Sequence, residues 1–132
     1  MGYYNDIALA LSKKADKKLK QKLEAMNPEV VGLFTKYYDA HLENVETGNV
    51  LYFWKEVKSY EDELEFIQLF IRGLDDEEFN LLRLGEDHET VGDIEQVGQL
   101  HCPEFDLQVS AVITFRGGKG IKTKNTNNKL EN

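Results

Sequence analysis

The residues with the greatest potential for chemistry lie in one acidic stretch late in the chain. Residues 85–95 carry His88 and five carboxylates: Glu86, Asp87, Glu89, Asp93 and Glu95. Carboxylate oxygens are the ligands that Mg²⁺ and Ca²⁺ take in proteins, so a metal-dependent enzyme would need Glu86, Asp87 and Asp93 to converge in a cleft. The spacing lacks the pattern of an EF-hand loop. We therefore predict no metal site and no cofactor, and we place a metal enzyme third among three hypotheses.

Other catalytic chemistry has little support. Cys102 is the single cysteine. As a nucleophile it would need a base, and the adjacent His101 points to the opposite side of an extended chain. The chain contains neither the Gly-x-Ser-x-Gly motif of a serine hydrolase nor a phosphate-binding glycine loop. A single cysteine is typical of a reducing cytosol. The sequence thus predicts a cytoplasmic protein that is not an enzyme.

Charge is distributed unevenly along the chain. The formal net charge is −8, from 16 basic and 24 acidic residues. Residues 12–26 hold six lysines and two acidic residues, and 116–132 hold five basic residues and one acidic residue. Residues 27–115, by contrast, hold five basic and twenty acidic residues. The acidic middle favours basic partners, whereas the lysine-rich segments favour phosphate.

The hydrophobic pattern predicts the elements that must position these residues. The first half of the chain indicates a strand at 4–9, a lysine-rich helix over 12–26 capped by Ser12, and a short helix that begins at Asn27-Pro28. A turn at 46–49 then joins two strands, the second over 50–57. The alternative is a helix that continues from Val30 to Gly48.

The second half of the chain completes an α+β pattern. It indicates, in order, a helix at 60–74, a strand at 79–84, a loop over 85–100 with a helical turn near 91–96, and a strand from Phe105 to Phe115. This order predicts an antiparallel sheet with helices on one face, as a split βαβ (ferredoxin-like) plait with an added C-terminal strand. We assign 1–116 to a single α+β domain and 117–132 to a polar, flexible tail.

Side-chain alternation on the predicted central strand indicates which residues lie on the face of the sheet away from the helices. With helices on one face only, the other face is open to water or to a partner. Tyr52 and Trp54 share their alternation with the polar residues Glu56 and Lys58, which predicts that the two aromatic residues lie on the open face, while Val57 faces the helices. Replacement of Trp54 by alanine is then expected to cost only about 1 kcal/mol.

Three stretches resemble a group of small phage and prophage proteins. They are Tyr4-Asn-Asp-Ile-Ala-Leu-Ala-Leu11, Val50-Leu-Tyr-Phe-Trp-Lys-Glu-Val-Lys-Ser-Tyr60 and Arg83-Leu-Gly-Glu-Asp-His-Glu-Thr-Val-Gly-Asp-Ile-Glu95. The group carries an aromatic-Trp…Lys-x-Tyr stretch and a Gly-Glu-Asp…Asp-Ile-Glu loop, and the resemblance covers residues 3–115. Ser59 stands in place of an aromatic residue and Ala111 in place of a basic one. The group has no established activity, so the resemblance implies a phage context and a host-cell cytoplasm rather than a mechanism.

The sequence leaves two binding hypotheses, neither of which involves a membrane. The first is a phage- or prophage-type accessory protein that binds a host or phage protein through an acidic surface, with an anti-defence or host-takeover role. Its site residues would be Tyr52, Trp54, Lys58, Tyr60, Glu86, Asp87, Asp93 and Glu95. The alternative is a nucleic-acid-binding module that uses the basic tail and five lysines of the first helix. These lysines are Lys13, Lys14, Lys17, Lys18 and Lys20.

Overall fold

The structure is a computed structural model that describes residues 4–58, 62–85, 94–109, 113–117 and 120–123. The elements in these ranges are β1 (Tyr4–Leu11), α1 (Lys13–Leu23), α2 (Pro28–Thr35), β2 (Ala40–Asn44), β3 (Val50–Lys58), α3 (Asp62–Arg72), β4 (Phe79–Gly85), β5 (Ile94–Gly98), β6 (Gln108–Val109), β7 (Ile113–Thr114) and β8 (Ile121–Thr123). Short 3-10 turns occupy Asp76–Glu78 and Pro103–Phe105. The predicted hairpin around 46–49 is confirmed, and α2 ends at Thr35 rather than continuing to Gly48.

Side-chain caps begin the first two helices where the sequence predicts them. Ser12 Oγ accepts a hydrogen bond from the Ala15 amide at 3.1 Å, and Asn27 Oδ1 accepts one from the Val30 amide at 3.0 Å. Pro28 lies in the first turn of α2, where a missing N–H removes no intrahelical bond. Because Ser12 directly follows β1, its cap starts the lysine-rich helix α1 at the end of that strand.

Within the described ranges, the main sheet has six antiparallel strands in the order β5-β4-β1-β3-β2-β8. Strand β3 lies between β1 and β2, and β1 lies between β3 and β4. Each helical connection therefore joins two strands that are separated by a third, which is the split βαβ arrangement. The predicted α+β fold of ferredoxin-like type is confirmed, and β5 and β8 extend its sheet at the two edges.

The sheet separates two hydrophobic cores. On one face, called the helix face, α1, α2 and α3 pack against alternate residues of the central strands, such as Ile7. On the other face, Phe53 packs with Phe105 and Ile113 from the C-terminal third of the chain, and Phe105 is completely buried. We call residues 100–109 and 113–117 the cover segment. The second face of the sheet is thus covered by the chain itself rather than open.

The predicted orientation of the aromatic residues on β3 is wrong. Tyr52 and Trp54 lie on the helix face and are each 1% exposed. The prediction failed because β3 contains a β-bulge. Two residues of β3 stand opposite Asp6 alone, and one of them, Glu56, has φ +59°. A bulge reverses the alternation beyond it. Val57 therefore faces the helices, as predicted, but on the same side as Trp54. The polar residues beyond the bulge consequently do not indicate which face of the sheet Trp54 lies on.

The last third of the chain also differs from the prediction. Ile94–Gly98, expected in a loop with a helical turn, forms the edge strand β5. The strand expected from Phe105 to Phe115 is interrupted, because Asp106 has φ +47° and β6 pairs with β7 in a separate two-stranded sheet. The alternation there reflects packing of the cover segment onto the main sheet. Within the predicted tail 117–132, β8 pairs with β2 and adds a strand to that sheet.

Candidate functional site

The residues of the predicted protein-binding surface do not form one site in the described part of the chain. Tyr52 and Trp54 lie in the core, where the Trp54 indole N–H donates a hydrogen bond to the Leu33 carbonyl at 2.9 Å. Lys58 ends β3. The remaining members except Glu95 lie outside the described residues: Tyr60, Glu86, Asp87 and Asp93.

Glu95 forms an ion pair across the two strands at the edge of the sheet. Its Oε1 lies 3.3 Å from Arg83 Nε across the β4–β5 pair. Arg83 Nη1 donates a hydrogen bond to Asn5 Oδ1 at 2.8 Å, and Asn5 Nδ2 donates one to the Val57 carbonyl at 3.0 Å. These contacts link β5, β4, β1 and β3, so the Glu95 carboxylate already has a partner within the chain.

Four of the five lysines that the sequence selects line one groove. It lies between α1 and the β2–β3 hairpin and has a volume of about 600 Å³. We call it the lysine groove, and its lining residues are Lys13, Lys14, Asp16, Lys17, Lys20, Glu43 and Gly48. Within the described ranges, Lys13, Lys14 and Lys17 form no ion pair. Three ammonium groups are therefore available to an anionic ligand.

The fifth lysine, Lys18, points away from the lysine groove. Its Nζ lies 3.3 Å from Glu78 Oε1, in the 3-10 turn before β4. The Asp75 amide also donates to Glu78 Oε1, at 3.1 Å. This backbone hydrogen bond, followed by the hydrogen bond and charge of Lys18, lowers the pKa of Glu78. Lys18 thus attaches α1 to the start of β4 and does not share a site with the other four lysines.

A buried polar network forms the floor of the lysine groove. The Tyr52 hydroxyl donates a hydrogen bond to Asp16 Oδ1 at 2.9 Å, and Asp16 Oδ2 lies 3.2 Å from Lys20 Nζ. The His41 ring stacks on the Tyr52 ring with 4.1 Å between centroids. Burial raises the pKa of Tyr52, and the negative charge of Asp16 raises it further, so the phenol keeps its proton and remains a donor. The network fixes the Asp16 carboxylate and, through it, Lys20.

Gly48 brings the β2–β3 turn against α1. It has φ +80°, which favours glycine, and a Cβ at this position would lie 2.8 Å from Lys13 Cδ. The Asn44 side-chain oxygen accepts hydrogen bonds from the Glu46 and Thr47 amides at 2.8 and 3.1 Å, which fixes the turn. The aliphatic part of Lys13 therefore packs on the turn, and the turn forms one wall of the lysine groove.

The described part of the predicted basic tail lies beside that wall. Strand β8 pairs with β2, and Lys122 stands opposite Glu43, a lining residue of the lysine groove. The Val45 amide also donates a hydrogen bond to the Gly120 carbonyl at 2.9 Å. The fold thus brings β8 next to β2, whose Glu43 lines the lysine groove, although the two strands are far apart in sequence.

Sequence reasoning missed three lining residues of the groove: Asp16, Glu43 and Gly48. The i,i+4 spacing of Asp16 and Lys20 was a usable signal for their ion pair. The hydrogen bond between Asp16 and Tyr52 spans 36 residues and requires Tyr52 to face the helices. No local pattern carries that information.

Metal and thiol chemistry have little basis in the described residues. They contain no group of three His, Cys, Asp or Glu side chains that could hold a metal ion, and Glu86, Asp87 and Asp93 are not among them. Cys102 is buried, and Asn80 Nδ2 donates a hydrogen bond to its Sγ at 3.2 Å. Burial raises the pKa of the Cys102 thiol, so the reactive thiolate is disfavoured.

No family model, curated protein or solved structure matches this chain. Among the described helices, none is long and apolar enough to cross a bilayer. The support for a function therefore comes from the geometry and charge of the lysine groove.

Proposed function

We propose that the protein binds nucleic acid through the lysine groove. The observation that carries this proposal is the convergence of four lysines on one groove of about 600 Å³: Lys13, Lys14, Lys17 and Lys20. Of these four lysines, only Lys20 has an ion-pair partner among the described residues. Clustered ammonium groups attract phosphate, and binding releases the counterions condensed on the nucleic acid.

The spread of these lysines favours a chain of phosphates over a single small anion. Lys13 and Lys20 are seven residues apart on α1, which corresponds to about 10 Å along the helix axis at ~1.5 Å per residue. Successive phosphates of a strand can follow backbone positions spread over that length, and so can engage more of the four lysines than a single small anion does. One further basic residue, Lys122, stands on β8 opposite Glu43, a lining residue of the groove.

We place the protein-partner hypothesis second. Two of its aromatic members, Tyr52 and Trp54, are buried, and Glu95 is paired with Arg83. A phage accessory role, which rests on the resemblance to small phage and prophage proteins, is compatible with either function. It stays a proposal about context, because a resemblance of short stretches specifies no ligand.

Fluorescence anisotropy with a labelled strand of about 20 nucleotides, single-stranded and as a duplex, tests the proposal. We expect binding at low salt, with log K falling linearly against log salt. If three lysines each neutralise one phosphate, the slope is about −2 to −3, at roughly 0.7–0.9 per phosphate. The double variant Lys14→Glu/Lys17→Glu, which reverses two exposed lysines of the groove, is expected to lose at least about tenfold in affinity.

The matched control is Lys22→Glu/Lys55→Glu. It changes the net charge by the same amount at two exposed lysines outside the lysine groove. We expect it to lose much less affinity than the groove variant. Equal losses for the two variants would mean that net charge alone governs binding, and absence of binding at low salt would overturn the proposal outright.

A further inference from the structure

The outer edge of β5 has the features of a site that accepts an added strand. In the described part of the chain β5 pairs only with β4, so its second edge presents unpaired backbone N–H and C=O groups. Ile94 and Val97 are 38% and 37% exposed. Ile94 stands opposite Leu84, on the cover side, and Val97 stands opposite Leu81, on the helix face. The edge therefore carries an apolar side chain on each face.

This edge lacks two of the devices that usually prevent strand addition, lysine and proline. Proteins protect sheet edges with charged side chains, above all lysine, with proline or with very short strands, and the one charged side chain of β5, Glu95, is paired with Arg83. Strand β5 has five residues with the sequence Ile-Glu-Gln-Val-Gly, without lysine or proline. The opposite edge, β8, has three residues and includes Lys122. Of the two edges, β5 is thus the one that can accept a partner strand.

Contacts with the 3-10 turn and β4 attach β5 to the rest of the fold. Glu95 pairs with Arg83, as described above, and the Gln99 amide donates a hydrogen bond to the Asp76 carbonyl at 2.6 Å. Gly98 has φ +98°, and a Cβ there would lie 2.1 Å from the Phe79 carbonyl oxygen, so the end of β5 is pressed against the start of β4. A preorganised edge lowers the ordering cost of adding a strand.

The charge of the described residues around the β5 edge specifies the chemistry of the partner. Residues 75–78, at the 3-10 turn before β4, are four consecutive acidic residues, and Glu95 lies on β5 itself. Asp75, Asp76 and Glu77 are exposed in that turn, which is attached to the end of β5. Asp76 also lines a groove of about 270 Å³ beside β5, together with Ile71, Arg72, Glu95 and Val97. A partner strand with basic side chains fits this edge.

We propose that the β5 edge binds an extended, basic segment of another protein as a seventh strand of the sheet. Its backbone would pair with β5, and alternate apolar side chains would pack on Val97 and Ile71 on the helix face. Its lysine or arginine side chains would approach Asp76 and its acidic neighbours. A second copy of this chain fits less well, because the pairing would bring together two proteins that each carry a net charge of −8.

The test uses peptides of about seven residues as probes. The first alternates lysine and valine, the second has the same composition with a central proline, and the third replaces lysine by glutamate. Binding is measured by anisotropy, and amide exchange reports on residues 94–98. We expect the lysine-valine peptide to bind and to slow exchange in β5, and the other two to bind at least about tenfold more weakly. Equal binding of the proline peptide would show a charge effect without strand pairing and would overturn the proposal.

Variants of the protein locate the site. Val97→Lys and, independently, Ile94→Lys place a lysine on the edge and are each expected to reduce affinity for the lysine-valine peptide at least about tenfold. Val45→Lys is the matched control, because Val45 is an exposed valine in the β2–β3 turn. Circular dichroism checks that each variant is folded. Equal losses of affinity from the substitutions at positions 45 and 97 would overturn the proposal. A dimer seen by light scattering and abolished by Val97→Lys would also overturn it, because the strand added to β5 would then come from a second copy of this chain.

Discussion

The Tyr52 hydroxyl donates a 2.9 Å hydrogen bond to Asp16, and this contact joins the central strand of the sheet to the lysine-rich helix. Both residues are buried beneath the lysine groove. A buried carboxylate needs donors that compensate for its lost hydration. Tyr52 supplies one from the core and Lys20 supplies another from the groove, so the stability of the fold and the charge of the groove depend on the same carboxylate.

Replacement of Tyr52 by phenylalanine is expected to destabilise the protein by about 1–3 kcal/mol, because Asp16 loses its buried donor. Urea denaturation measures the change in the free energy of unfolding. Tyr37→Phe is the control, since Tyr37 is largely exposed and its hydroxyl is in no described hydrogen bond. Similar stability of the two variants would show that the hydroxyl contributes little.

Asp16→Asn is expected to strengthen the binding of nucleic acid. The substitution removes a negative charge from the floor of the lysine groove and releases Lys20 from its ion pair. If Lys20 then contacts a phosphate, the plot of log K against log salt becomes steeper by about 0.7–0.9. Glu24→Gln, an equal charge change at the exposed C-terminal end of α1, should leave the slope unchanged.

Trp54→Ala is expected to destabilise the protein by about 3–5 kcal/mol, the cost of removing a large aromatic side chain from a core. Trp54 contacts Phe34 edge-on at 5.3 Å and donates a hydrogen bond to the Leu33 carbonyl. Thermal or urea unfolding measures the loss, with Leu69→Ala as the exposed control. A loss of only about 1 kcal/mol would contradict the buried position and favour the open-face orientation.

Glu78 is expected to make stability depend on acid pH. Its pKa is lowered in the folded state, first by the Asp75 amide and then by Lys18, so it binds its proton more weakly when folded. Its contribution is therefore complete above the unfolded pKa of about 4.3 and is lost as the pH falls through the lower folded pKa. Glu78→Gln should reduce stability at neutral pH and show less further loss on acidification. Glu77→Gln, at an exposed neighbour, is the control and should leave stability at neutral pH unchanged.

Local patterns were sufficient for most of the fold. The caps at Ser12 and Asn27, the hairpin at 46–49 and the apolar spacing of α3 depend on neighbours in sequence. Once these elements are placed in order, the split βαβ arrangement leaves few alternatives. The lysines of α1 were also recognised as candidate binding residues from their number alone. The sequence could not show that Lys18 points away from the groove that the other four lysines line.

The sequence-based predictions were wrong where the structure depends on one inserted residue or on a contact between residues far apart in sequence. The bulge at Glu56 reverses the alternation of β3, and the polar residues beyond it led to the wrong face for Trp54. In the cover segment, the positive φ of Asp106 ends what the alternation indicated as a strand. Strand β5 was missed because its apolar residues, Ile94 and Val97, are few and separated by polar ones.

The central place of β1 has a consequence for synthesis of the chain. Its two neighbours in the sheet come much later, since Leu11 pairs with Val50 on one side and with Phe79 on the other. Phe105 and Ile113, which cover the second face, are later still. A nascent chain therefore presents an apolar strand with two unpaired edges until β3 and β4 have left the ribosome, and such a segment is a target for chaperones and for aggregation.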